Sequence, residues 1–439
     1  MYLSNKIADL NFKSEIKDLL LKASLATLIR VVGMAIGILL YVLVAKSLSV
    51  SDVGIFFLVI SITTLVSILS TLGLSNAMVR FVSIFKENSN QVDQNSMFTL
   101  IMFIATSVSL VLSVLLYSIS EETLNLIFSK PDFSAAIKNV VMIIPSMAAF
   151  TIITSAHQSV GNAAYGLFFQ AIFHPLLFMI LILFNRGDLI DVLYAYLNSL
   201  IITLVFSMFF LSKFSGIRLK MKFGKENIRL VKVLLRSYSI QGLVGLLIKQ
   251  FPIVLASVFI PSAQVALLAI SLKISSLVSF VLAATNLILQ PKLAVMFNKG
   301  KLKDVEVVCQ RVTFYMTLFS IPIVTLLLVF PDYILFLFDD RYIAAENILR
   351  VLVIGQFINV LTGSVGDVLI MSGKHDVLLK FQFLNLFVLL AVIAIASLAW
   401  QNVFMIALGV SLGVIIQNVG SYISMLKTLK ISTIDFRFK

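Results

Sequence analysis

Four cationic side chains, Arg30, Arg236, Lys249 and Lys273, lie in or at the ends of otherwise apolar stretches. A charge at the centre of a bilayer costs about 2.5 to 3.5 kcal/mol on an insertion scale, so such residues normally face a protein interior or a watery cavity. Arginine offers a planar two-pronged donor and lysine a mobile point charge, the two side chains that most readily hold phosphate. The chemistry they point to is the binding or passage of an anion.

The surrounding chain is membrane-like. Of 439 residues, 60% are hydrophobic and only 13% are charged, and mean hydropathy is +1.05. Ordinary soluble domains carry about twice that share of charge. Apolar runs give twelve expected spans, near 24–45, 53–79, 97–118, 139–160, 165–184, 191–212, 233–259, 263–290, 312–330, 347–371, 377–399 and 403–426. The tenth is interrupted by Asn359, Thr362, Ser364 and Asp367. The expected fold is an all-α integral membrane protein of two six-helix lobes around a central cleft. The lobes cover 1–212 and 233–439, joined by a basic linker, 213–232. No connection is long enough to fold as a separate catalytic domain.

Residues 1–23 are polar, helical in character and carry Lys6, Lys13, Lys17 and Lys22. Without the small-residue cleavage site of a secretory signal, they read as a retained cytoplasmic lead-in. With the N-terminus inside, 24 Lys and Arg fall in inner segments and 6 in outer ones, the four helix-associated cations completing the 34. The positive-inside rule then places both termini in the cytoplasm. The surplus, a net charge of +13, needs no nucleic-acid partner. The lone Cys309 reads as filler in a basic cytoplasmic loop.

The chain repeats itself at a shift of 212 residues. Thr64, Leu65, Val66 and Ser67 fall on Ser276, Leu277, Val278 and Ser279, Arg80 on Lys292, Phe85 on Phe297, Gly161 on Gly373, and Phe169-Gln170 on Phe381-Gln382. Six spans per repeat insert both halves in the same direction, related by an axis along the membrane normal.

Two blocks carry a resemblance. "AKSLSVSDVGIF" from Ala45 and "LGLSNAMVRF" from Leu72 lie within a stretch, Gly33 to Phe85, that resembles the opening helices of the polysaccharide-repeat-unit flippases, the Wzx or O-antigen translocase family. That family belongs to the multidrug/oligosaccharidyl-lipid/polysaccharide exporter superfamily. A second similar block runs from Asp339 to Asn385, where Asp340 and Arg341 replace the usual glycine before the Tyr-x-x-Ala-x-x-x-Leu pattern. The resemblance implies two rocking lobes with spans 1, 2, 7 and 8 lining the cleft. It implies an undecaprenyl-diphosphate-linked oligosaccharide as cargo, flipped across the cytoplasmic (inner) membrane for O-antigen, lipopolysaccharide or capsule synthesis, with membrane lipids, a polysaccharide polymerase and a chain-length regulator as partners. Arg30, Lys249 and Lys273 fall on spans 1, 7 and 8, and with Lys46 and Arg80 they form an expected cationic ladder for the diphosphate. Arg236 is expected to reach the inner headgroups instead.

Other features are weaker. Pro252, three residues after Lys249, removes a helical hydrogen bond and is a candidate hinge. Thr63 with Ser67, and Ser275 with Ser279, stand four apart and are expected to pack helices rather than touch sugars; Gly33-Gly37 and Gly409-Gly413 have a packing spacing. Asp367 is a candidate for a coupling ion, though an ion pair with Lys374 is the first expectation. His157 and His174 are proton carriers only in principle. The residues call for no catalytic group, metal or cofactor.

Competing functions fare worse. An ion-coupled drug antiporter of the same superfamily would want carboxylates in the N-terminal lobe, and there is no acid between Leu21 and Ser51. A glycosyltransferase or polymerase would need a substantial outer loop, and the longest, around 118–139 and 331–347, are short. Gly366 to Lys374 fails the phosphate-loop spacing of an ATP-driven pump.

Overall fold

The structure is a computed structural model that describes residues 2–75, 78, 79, 82, 91–184, 187–219, 239–399 and 402–434. It is helical, with no strand among the described residues. In the first half the described helices are α1 (Tyr2–Ser47), α2 (Val50–Thr71), α3 (Gln91–Ser118), α4 (Glu121–Phe128), α5 (Pro131–Asn139), α6 (Ile143–Ser159), α7 (Ala163–Phe184, with a π-turn at Phe169–Phe173) and α8 (Leu189–Ser215). In the second half they are α9 (Ser239–Phe259), α10 (Ser262–Asn298), α11 (Leu302–Val329), α12 (Pro331–Phe336), α13 (Glu346–Thr362), α14 (Val365–Met371), α15 (His375–Ala399) and α16 (Val403–Leu429).

Among the described residues, ten helices are long and apolar enough to cross a membrane. Two further expected spans have helical counterparts: α5 and α6 form a pair bent by 54°, and α9 contributes the apolar segment Leu247–Phe259. Spanning helices satisfy their own backbone, which is what a hydrocarbon layer demands. Side chains finish some ends: the Ser49 hydroxyl accepts from the Asp52 amide at 3.1 Å, and Asp188 accepts from the Ile190 and Asp191 amides at 3.0 and 3.1 Å. Each satisfies an amide that a helix start leaves open. The tenth expected span is broken at Gly363, with φ +72°, between α13 and α14.

The 212-residue repeat is visible in the backbone. α1 ends at Ser47 and α2 starts at Val50; α9 ends at Phe259 and α10 starts at Ser262. α6 ends at Ser159 and α7 starts at Ala163; α14 ends at Met371 and α15 starts at His375. Within the second pair of turns Gly161 and Gly373 have φ of +82° and +75°, a conformation that glycine adopts without a Cβ penalty.

We call the α1–α2 end of the bundle distal and the end bearing the C-terminal tail proximal. At the distal end one apolar cluster runs through both lobes, from Val44 and Phe56 to Ala256, Leu268 and Tyr342. Toward the proximal end the described residues form two separate clusters. One holds Leu74, Met97, Ile152 and Leu211, the other Leu289, Val305, Val368 and Met425. Cys309 belongs to the latter, buried within α11 rather than placed in a loop as expected.

Candidate functional site: a cationic cavity between the lobes

The lobes meet where α2 packs against α9 and α10, and α1 against α10. Between α1 and α10 lies a cavity of about 240 Å³. From α1 it is lined by Met34, Gly37, Ile38 and Tyr41, the i, i+3, i+4, i+7 positions of one helix face. Lys273, Ile274, Ser276 and Leu277 of α10 line the other side, with Phe338 from the segment after α12.

Lys273 supplies the only charge among these lining residues. Its Nζ stands 5.1 Å from the centroid of the Tyr41 ring across the lobe interface, within range of a cation–π attraction. Ring faces attract cations weakly enough that an anionic ligand can replace them as the partner. Ser276 is exposed and donates to the Lys273 carbonyl at 2.6 Å, which leaves its oxygen lone pairs to accept. Further along the same pair of antiparallel helices, Arg30 of α1 directs Nη1 to the Ala283 carbonyl of α10 at 3.4 Å. The structure thus brings Arg30 and Lys273 to one interface, at two levels.

The remaining expected site residues are placed differently. Lys249 is exposed on α9, outside the cavity lining. Lys46 is exposed at the distal end of α1, also outside it. Arg80 and Arg236, like most of the 213–232 linker, lie outside the described residues. Pro252 is buried in α9, which remains helical through it.

Asp367, on α14, does not pair with Lys374. One carboxylate oxygen accepts from the Gln290 side chain of α10 at 2.6 Å, and the other is buried without a partner. Lys374 sits in an exposed turn after α14, so solvation holds it there without an ion pair. His157 does have a partner that the sequence did not reveal: Nε2 lies 3.1 Å from the Ser207 carbonyl. His174 packs edge-on to Tyr196 at 5.1 Å.

Hydroxyls and glycines sort by packing. Thr63 and Ser275 are buried and bond back to their own helices, at Val59 and Leu272. Gly33 packs on Ala171, which a Cβ would approach to 2.5 Å, whereas nothing lies within 4 Å of a Cβ on Gly37. The expectation of packing therefore holds for Gly33 and fails for Gly37, which lines the cavity. Gly409 and Gly413 pack as expected, against Val392 and Asn385. Tyr41, Ser276 and Phe338 were not singled out from sequence; the one-face spacing of Gly37 and Tyr41 was the available signal.

Comparison with known proteins places this architecture. The MatE family model matches residues 240–392, about a third of the chain. A search of curated proteins gave no match. Among solved structures, an inward-facing multidrug resistance MATE family transporter of the MOP superfamily aligns at TM-score 0.74 and 13% identity, over 92% of this chain and 98% of that one. The lipid II flippase MurJ, in an inward closed conformation, aligns at TM-score 0.73 and 15% identity, over 92% and 87%. An outward-facing MATE family transporter aligns at 0.61 and 15% identity, over 93% and 96%. The fold is that of the MOP-superfamily transporters.

Proposed function

We propose that this protein is a flippase that carries an isoprenyl-diphosphate-linked oligosaccharide from the inner to the outer leaflet of the cytoplasmic membrane, by alternating access, for surface polysaccharide synthesis. The observation that carries the reading is the inter-lobe cavity, whose lining includes Lys273 and no carboxylate. An ammonium on a wall with no carboxylate among its described lining residues favours an anionic ligand, because no acid of the lining competes for it.

In this reading the diphosphate enters from the proximal side, meets Arg30 and passes to Lys273, exchanging the Tyr41 ring for phosphate oxygens. Lys249, exposed on α9 outside that lining, is assigned a role by the repeat alone, the 212-residue shift pairing it with Gly37 of the lining. Sugars occupy the wet cleft while the lipid tail stays in the bilayer. Pro252 serves as a hinge in α9. The charge split supports cytoplasmic termini, and a polymerase and a chain-length regulator would consume the flipped unit.

A second reading, an ion-coupled antiporter of small molecules, is favoured by the unpaired buried oxygen of Asp367, which suits a proton or a monovalent cation. The two readings separate in proteoliposomes. For the flippase, Lys273→Ala and Lys249→Ala should each slow translocation of an isoprenyl-diphosphate oligosaccharide by about tenfold or more, as loss of a charge-assisted contact does. Wild-type rates in both variants would remove the assignment, and efflux of an organic cation abolished by Asp367→Asn would favour the antiporter.

A further inference from the structure

The distal mouth is closed by a pair of contacts that the cavity does not explain. Lys130, in the turn between α4 and α5, is 7% exposed, yet it has no acidic partner among the described residues. Its ammonium instead donates to three carbonyls: Phe128 of its own lobe at 3.0 Å, and Ser257 and Ile260 of the other lobe, the latter at 3.0 Å. Three donors meet three acceptors. Ser257 and Ile260 mark the C-terminal end of α9, where carbonyls lack helical partners and the helix dipole is negative.

Arg341 makes the reciprocal contact from the second lobe. Its Nη2 reaches the carbonyls of Ala45 and Leu48, at 3.3 and 3.4 Å, at the C-terminal end of α1. Asp339 holds the guanidinium in place, accepting from Nε at 2.7 Å and from Nη2 at 3.1 Å. At the 212-residue shift Ala45 falls on Ser257 and Leu48 on Ile260. The two lobes therefore present the same pair of carbonyls, and each receives a cation from the other's distal loop.

Between these contacts α2 and α10 cross with no room to spare. A Cβ on Gly54 would collide with the Ser262 carbonyl oxygen and lie 3.2 Å from the Ala266 amide nitrogen, and Ala266 is the residue that the shift places on Gly54. The crossing thus pairs two positions that the repeat makes equivalent. Separating the lobes distally would strip the α9 carbonyls from Lys130 and the α1 carbonyls from Arg341 together.

We propose that Lys130 and Arg341 are two matched latches that hold the distal mouth shut and set the resting balance between the two faces of the transporter. The role in transport rests on the alternating-access reading; the latches themselves do not depend on the cargo. Helix ends are regenerated on reclosing without any change in covalent state, so the device is reversible. Because the acceptors are backbone carbonyls, the latch constrains the donors alone.

The test is a distance measurement without cargo. In a Cys309→Ser background, spin labels at Glu122→Cys and Tyr333→Cys, exposed positions on the short distal helices α4 and α12, report the separation of the lobes in lipid nanodiscs. Lys130→Met and Arg341→Leu should each raise the distal-open to distal-closed ratio by about tenfold, as expected for loss of a charged hydrogen-bond donor. Lys130→Arg should keep the closed distribution. Arg341 lies at an exposed position, so Arg341→Leu carries the test even where Lys130→Met does not fold. Distances unchanged in folded Arg341→Leu, or in the double variant, would overturn the proposal. Normal distances with lost flipping would do the same and point instead to the cargo site.

Discussion

At the distal end, apolar side chains of both lobes merge into one buried cluster that includes Val44, Phe56, Ala256 and Leu268. At the proximal end each lobe keeps a cluster of its own among the described residues. The cavity lies between these regimes, with Lys273 on its wall and Arg30 further toward the proximal side. Closure is thus built from packing and backbone acceptors that recur in both halves. Charge is not duplicated in the same way: Lys273 falls on Ser61 and Lys249 on Gly37 at the repeat shift. In the flippase reading a duplicated scaffold supplies the motion, and side chains without a counterpart at the repeat shift give the chamber its sign.

The contrast can be broken at single positions. The largest expected effect is at the crossing, where Gly54→Leu has to displace the backbone of Ser262. Overpacking of this kind costs about 1 to 3 kcal/mol or more, and the variant should populate the distal-open state or lose thermal stability. A closed mouth and unchanged Tm would show that the helices do not meet there.

Gly33 and Gly37 offer a matched pair one turn apart. Gly33→Leu collides with Ala171 and should destabilise the fold by about 1 to 3 kcal/mol, whereas Gly37→Leu enters open space and should leave stability within about 0.5 kcal/mol. In the flippase reading Gly37→Leu should nonetheless cut translocation, because it fills the chamber. Thermal unfolding and flipping rates on the two variants separate packing from passage.

The smallest effect concerns pH. Arg341 holds the Asp339 carboxyl well below the usual carboxylate range. A carboxylate depressed in the folded state contributes stability above its unfolded pKa and loses it only as pH falls through the folded value. Lowering pH from about 7 to about 4, near an ordinary aspartate pKa, should therefore leave the distal distance distribution unchanged. Opening over that interval would show that Asp339 does not anchor Arg341. At Lys130 burial acts on the base, pulling its pKa below the ordinary lysine value.

Much of this was legible in the chain. Apolar runs located the spans because a bilayer imposes length and composition together. The 212-residue offset read from side chains recurs in helix bounds such as Ser47 with Phe259. Lys273 could be named because an ammonium inside an apolar helix needs a wet or protein-lined surrounding. What escaped was three-dimensional: Gly37 and Gly33 share a motif yet face different neighbours, and Asp367 chose Gln290, 77 positions away, over nearby Lys374. Arg341 stood out in sequence only as a departure from a glycine-bearing pattern. Its partners, at Ala45 and Leu48, are backbone atoms that no side-chain pattern encodes.

The central claim, that the inter-lobe cavity receives an anionic lipid head, is tested most directly by equilibrium binding of an isoprenyl diphosphate to the purified protein in nanodiscs. Affinity should fall by about tenfold or more in Lys273→Gln, be largely restored in Lys273→Arg, and weaken with added salt. Equal affinity in wild type and Lys273→Gln, or tighter binding of an organic cation than of the diphosphate, would contradict it.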